Sequence, residues 1–134
     1  MSQYDVLCIG NAIVDIIAQC DEAFLGDNGI IKGAMNLIDA ERAELLYARM
    51  GPAIEASGGS AGNTAAGVAS FGGRAAYFGK VSRDKLGEIF AHDIRAQGVA
   101  FDTNPLDGTP PTARSMIFVT PDGERSMNTY LGAC

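Results

Sequence analysis

The chain has 134 residues, 47% hydrophobic and 19% charged, with a formal net charge of −6 at pH 7. That balance excludes a disordered segment, and an acidic surplus without a basic stripe excludes a nucleic-acid backbone as partner, so small soluble molecules fit better. Cys8, Cys20 and Cys134 have no C-x-x-C spacing and build neither a disulfide framework nor a zinc site; with no signal-peptide pattern and no bilayer-long apolar run, the size is that of one domain and the cytoplasm is the expected location.

In chain order, Tyr4 to Ile9 reads as a strand buried on both faces, with Cys8 a buried thiol. Gly10-Asn11 closes it. Ile13 to Ala18 is a second β-branched run, interrupted by Asp15. A lone carboxylate there either faces solvent on an edge or is held to bind something polar. Ala34 to Ile38 is a short strand, and Asp39 caps a helix whose stripe is Ala43, Leu46, Tyr47 and Met50, stopped by Gly51-Pro52. Ala53 to Ala56 is a further strand.

Gly58-Gly59-Ser60-Ala61-Gly62-Asn63 then opens a helix of small apolar residues that runs to Gly72-Gly73. A glycine pair lets the backbone approach a ligand or take positive φ, and a helix start presents free N–H groups. Asn63 adds an amide that donates and accepts. The arrangement is either a wall for a polyhydroxylated or anionic small molecule or an ordinary strand-to-helix turn. Ala75 to Phe78 is a strand, and Leu86, Ile89, Phe90 and Ile94 are the stripe of a helix closed by Gly98. Strands and helices alternate from 53 to 98, the pattern of a parallel α/β sheet. Ser115 to Thr120 and Ser126 to Leu131 flank Pro121-Asp122-Gly123 as a hairpin, a flap able to cover a site.

Several features carry no chemistry. Gly73 to Lys80 has the wrong length for a phosphate loop, puts Val81 where a hydroxyl belongs, and contains a strand. No G-x-G-x-x-G occurs. His92 lies on the polar side of its helix beside Asp93 and has no partner for a metal or a catalytic triad. Met116 and Met127 either line a pocket or fill the core.

Together, Gly10-Asn11-x-x-x-Asp15, Gly58-Gly59-x-x-x-Asn63, Phe78-Gly79-Lys80-Val81-Ser82-x-Asp84-x-x-Gly87 and Glu124-Arg125-Ser126 resemble the PfkB (ribokinase-like) carbohydrate kinases, in order over nearly the whole chain. Gly58-Gly59-Ser60 with Asn63-Thr64, and Arg125-Ser126-Met127, look closest to the adenosine-kinase branch. The resemblance implies an α/β fold, a parallel sheet flanked by helices with a small antiparallel β lid, the lid segments being about 13–38 and 112–131. It implies that Asn11 and Asp15 bind sugar hydroxyls, Asp15 bridging a vicinal diol, that Gly58, Gly59 and Asn63 complete the sugar wall, and that Arg125 reaches the transferring phosphate when the lid shuts. An ionised carboxylate can accept from two hydroxyls, and a guanidinium fork matches phosphoryl oxygens.

The implied activity is transfer of phosphate from magnesium-ATP to a primary hydroxyl of a nucleoside or sugar. Family members are longer, and their G-A-G-D segment, which supplies the aspartate base, has no counterpart here: Gly26-Asp27 is too early, and the sequence ends at Leu131-Gly132-Ala133-Cys134. The catalytic base stays unassigned and no metal ligand is named. The expectation is the N-terminal portion of a kinase, inactive by itself and prone to self-association through the lid or an exposed sheet edge. A fructokinase-like sugar kinase and a non-catalytic binding or assembly module are the alternatives.

Overall fold

In the computed structural model, described for residues 3–134, the sequence forms β1 (Val6–Ile9), β2 (Ile13–Gln19), α1 (Glu22–Asp27), β3 (Met35–Leu37), α2 (Ala40–Arg49), β4 (Ala53–Gly58), α3 (Ser60–Ser70), β5 (Ala75–Phe78), α4 (Lys85–Ala96), β6 (Ala113–Val119) and β7 (Arg125–Tyr130). These elements divide into two compact units. Unit 1 holds Met1–Val14, Ala56–Ala113 and Leu131–Cys134; unit 2 holds Asp15–Glu55 and Arg114–Tyr130.

In unit 1, β1 and β5 pair in parallel from Val6↔Ala75 to Ile9↔Phe78, and α3 packs on both strands. Ala100 extends this small sheet beyond β5, its N–H donating to the Ala75 carbonyl at 3.0 Å. The core is an aromatic trio, Tyr77, Phe90 and Phe101, with ring centroids 5.4 to 5.8 Å apart, wrapped by Val81, Ile94 and Val99. Phe90 and Ile94 come from the expected stripe of α4, which Asp84 caps by accepting from the Gly87 N–H at 2.8 Å. Cys8 is buried as expected.

The expected burial of the first strand on both faces is not met. Leu7 and Ile9 are 52% and 72% exposed. Alternation along a strand puts them on the face opposite Cys8. Among the described residues α3 packs on β1 and the face carrying Leu7 and Ile9 stays open.

Unit 2 is built on a five-stranded sheet in the order β3-β7-β6-β2-β4. The hairpin expected around Pro121-Asp122-Gly123 is β6–β7, antiparallel from Arg114↔Tyr130 to Val119↔Arg125. Its turn is closed by Gly123 N–H to the Thr120 carbonyl (2.8 Å) and by Asp122 Oδ1, which accepts from the Thr120 hydroxyl at 2.6 Å. Lys32 bridges Glu22 and Asp122, and the Gly33 N–H donates to Ser126 Oγ at 3.0 Å, fastening the turn to the segment before β3. Asp39 caps α2 through the Arg42 N–H at 2.8 Å, and Ala43 and Leu46 are its buried residues. Met116 is fully buried, which settles it as core.

Three details depart from the sequence reading. The five-stranded sheet is mixed, because β3 pairs with β7 in parallel from Met35↔Met127 to Leu37↔Thr129; β3 follows a helix, so no tight turn fixes its direction. β4 pairs with β2 rather than joining β5 in one parallel sheet. Its Glu55 and Ser57 suit a half-solvated strand better than a parallel one covered on both faces. Finally, α1 was not anticipated: at six residues it is too short to show a period, although Asp21 caps it by accepting from the Phe24 N–H at 2.8 Å. Phe24 packs on Phe118 with centroids 5.0 Å apart, anchoring α1 to the sheet.

Candidate functional site

Within unit 1 the structure brings Asn11, Gly58, Gly59 and Asn63 together around the turn from β4 into α3. Gly59 is the N-cap of α3 with φ +88°, and a Cβ there would lie 2.5 Å from the Asn11 carbonyl oxygen. Both its dihedral and this close approach require glycine. The Asn63 N–H donates to the Gly59 carbonyl at 2.9 Å, so Asn63 sits in the first turn. No side chain caps α3, whose leading N–H groups therefore have no partner within the helix. Gly58 is buried, whereas Asn11 and Asn63 are exposed, and neither amide side chain hydrogen-bonds to a described residue. The turn is thus a rigid backbone shelf edged by two open amides.

Within unit 2, Asp15 lies on β2 between Val14 and Ile16, which are fully buried. Its own side chain is on the other face of the strand, half-buried with Ile13 and Ile17. Arg125 begins β7, is exposed and forms no ion pair at contact distance with a described residue. In the sheet order β2 and β7 flank β6. Burial raises the Asp15 carboxyl above the ordinary carboxylate range, and the positive charge of Arg125 pulls it part of the way back. The two groups therefore feel each other without being locked together. A carboxylate held in a partly apolar setting, with a cation within electrostatic reach, is poised for a ligand carrying hydroxyls and negative charge.

Hollows inside the single units lie elsewhere. One of about 580 Å³ in unit 2 is an open trough beside the hairpin turn, lined by Gln19, Cys20, Asp21, Thr120 and Pro121. Another of about 170 Å³ in unit 1 lies between α4 and the 101–105 loop. Neither contains a candidate residue; the second is edged by Arg83, Glu88 and Arg95. Among the described residues no group of three His, Cys, Asp or Glu side chains is placed to hold a metal. His92 is exposed on α4.

One constellation was quoted in the sequence without a role. Ser82 and Asp84 hydrogen-bond to Thr112, just before β6, and Asp84 also accepts from the Gly87 N–H. The sequence signal was the Ser-x-Asp-x-x-Gly spacing; its partner at Thr112 lies too far along the chain for spacing to reveal.

Comparison with known proteins bears on the fold and the family. The solved structure of adenosine kinase from Sinorhizobium meliloti is 83% identical, with a TM-score of 0.93, over 99% of this chain and 41% of that one. A probable sugar kinase protein from Rhizobium etli CFN 42 is 75% identical, also with a TM-score of 0.93, over the whole of this chain and 41% of that one. Probable fructokinase-6, chloroplastic, from Arabidopsis thaliana is 26% identical over 125 residues, 93% of this chain and 27% of its own length. This chain therefore spans well under half the length of these relatives, and it shares the ribokinase-like fold over that span. The model of the pfkB family carbohydrate kinases matches residues 4–134. The chain belongs to the pfkB family of carbohydrate kinases.

Proposed function

We propose that the whole protein is an ATP-dependent kinase that phosphorylates a primary hydroxyl of a nucleoside, adenosine foremost, and that this chain supplies its acceptor-binding half. The observation that carries this reading is the half-buried Asp15 with Arg125 in electrostatic reach, in a chain 83% identical to a protein described as an adenosine kinase. In this reading Asp15 accepts from the two vicinal ribose hydroxyls, and Asn11, Asn63 and the Gly58-Gly59 backbone contribute further sugar contacts. Unit 2 acts as the lid, and its closure excludes water and holds the acceptor in register.

Arg125 is a suitable partner for the transferring phosphoryl oxygens, because its fork donates bidentately and its charge opposes theirs. Magnesium would supply further charge neutralisation on the nucleotide; the described residues include no ligand set for it, so nothing here is assigned to that role. The base that deprotonates the acceptor is likewise not among the assigned residues.

The second reading, a sugar kinase acting on fructose, is favoured by the fructokinase relatives alone, at much lower identity. The deciding experiment offers the full-length protein magnesium-ATP with adenosine, ribose and fructose in parallel and identifies the product by mass spectrometry. Nucleoside monophosphate as the dominant product is the expected result. Fructose phosphate instead would move the assignment to the second reading, and no product with no binding of any acceptor would leave a non-catalytic module.

A further inference from the structure

The Ser82-x-Asp84-x-x-Gly87 segment does more than start a helix. An N-cap needs one acceptor oxygen for one N–H. Here Asp84 Oδ1 accepts from both the Gly87 N–H (2.8 Å) and the Thr112 hydroxyl (2.6 Å), while Oδ2 accepts from the Thr112 N–H at 2.9 Å. Thr112 Oγ1 accepts in turn from the Ser82 N–H at 2.9 Å, and the Ser82 hydroxyl donates to the Pro110 carbonyl. Ser82 and Thr112 are 2% and 0% exposed. A Cβ on Gly87 would run into the Ser82 carbonyl, so the 82–87 turn has no slack. Four polar groups are thus used up on three residues, Pro110 to Thr112, and their immediate surroundings.

The position of that grip is what gives it meaning. The chain leaves unit 1 between Ala113 and Arg114 and returns between Tyr130 and Leu131, and between these points it forms the β6–β7 hairpin. The outgoing leg starts one residue after Thr112. The returning leg is tied to the same spot, because the Ala133 N–H donates to the Pro111 carbonyl at 2.9 Å. Both legs of the hairpin that carries Arg125 therefore stand on the 110–112 segment, and Asp84 and Ser82 hold that segment to the start of α4.

We propose that Asp84 is a positioning residue: acting through Thr112, it fixes the base of the hairpin and so sets where Arg125 comes to rest when unit 2 closes. This rests on the reading of unit 2 as a lid and of Arg125 as the phosphate-facing cation. A half-buried carboxylate bonded through both oxygens transmits position well, since any shift of Thr112 disturbs two bonds to one group.

Asp84→Asn separates this role from capping. The amide keeps an oxygen for the Gly87 N–H and the Thr112 hydroxyl but turns an NH₂ toward the Thr112 N–H, so the cap survives while the grip loses its backbone bond and gains a donor–donor clash. The measurements, made on the full-length protein, are kcat and KM for adenosine, plus amide hydrogen exchange at Arg114 to Met116 against Phe90 to Ile94 of α4. Asp84→Asn and Thr112→Val are each expected to lower kcat about tenfold or more with KM within about twofold, and to act non-additively when combined. Both are expected to speed exchange at Arg114 to Met116 while leaving α4 protected, and Thr112→Ser, which keeps the hydroxyl, is expected to restore kcat. A kcat unchanged in Asp84→Asn, or exchange that rises equally in α4, would overturn the proposal. Absence of phosphotransfer in the unmodified protein would count against the kinase reading only; the exchange contrast then decides the anchoring of the hairpin by itself.

Discussion

At the scale of single residues, the chemistry turns on Asp15 and on what Arg125 does to it. The Asp15 carboxyl is raised, chiefly by burial, so its ionised form is disfavoured in the folded chain. A group whose folded pKa lies above its unfolded value favours folding at pH below the unfolded value. That contribution is lost as pH rises through the folded value. In the proposed reading, ionised Asp15 is a burden on the unliganded protein at neutral pH that ligand binding offsets. Asp15→Asn is expected to leave thermal stability at pH 7 equal or slightly higher, and to weaken adenosine binding by about a hundredfold, since charge-assisted bonds to two hydroxyls are lost.

Removing the cation acts in the other direction. Arg125→Gln is expected to raise the Asp15 pKa further, moving the acidic limb of acceptor binding to higher pH. It is also expected to lower kcat by about a thousandfold, the range of an arginine that meets phosphoryl charge. Calorimetry across pH 4 to 8, with about ten points at fixed ionic strength, reads the first effect directly. An acidic limb that stays in place would show that the two side chains do not communicate.

At the scale of elements, the turn from β4 into α3 is the part most firmly dictated by sequence. Gly59→Ala is expected to cost about 1 to 3 kcal/mol, because the new methyl must occupy a left-handed backbone region and the space of the Asn11 carbonyl. Thermal unfolding checks this, and an unchanged midpoint would mean that the turn can relax. Much else at this scale was legible. The cap at Asp39, the stripe of α4, and the Pro121-Asp122-Gly123 turn are local signals that the structure honours. What was not legible is pairing between distant strands. Glu55 and Ser57 mark Ala53 to Gly58 as half-solvated without naming β2 as its partner, and nothing in Met35 to Leu37 fixes its direction against β7. The helix α1 escaped for a different reason, since six residues with one buried side chain leave no periodic trace.

At the scale of the whole molecule, the candidate residues were reached by resemblance more than by spacing. Asp15 alone was ambiguous between a solvated edge and a binding group, and Asn63 alone was any helix-turn amide. Their structural settings, a half-buried carboxylate beside a cation in unit 2 and an uncapped shelf in unit 1, are what residue pattern by itself does not specify. The same reasoning applies to the exposed apolar residues. Leu7, Ile9 and Phe78 on the small sheet of unit 1 are 52%, 72% and 52% exposed, more than a dispersed surface explains. The 134-residue chain is expected to self-associate. Light scattering over a dilution series should show mass falling toward the monomer, and Ile9→Lys should shift that fall to higher concentration. A constant monomer mass in the unmodified chain would contradict the expectation.

The central claim of the proposed function is that Asn11, Gly59, Asn63, Asp15 and Arg125 are all acceptor-binding residues. The most direct measurement is an adenosine titration of the chain followed by amide resonances in nuclear magnetic resonance. The expected result is that Asn11, Gly59 and Asn63 shift together with Asp15 and Arg125 along a single saturation curve. Shifts confined to one of the two sets, or two curves with different midpoints, would contradict it.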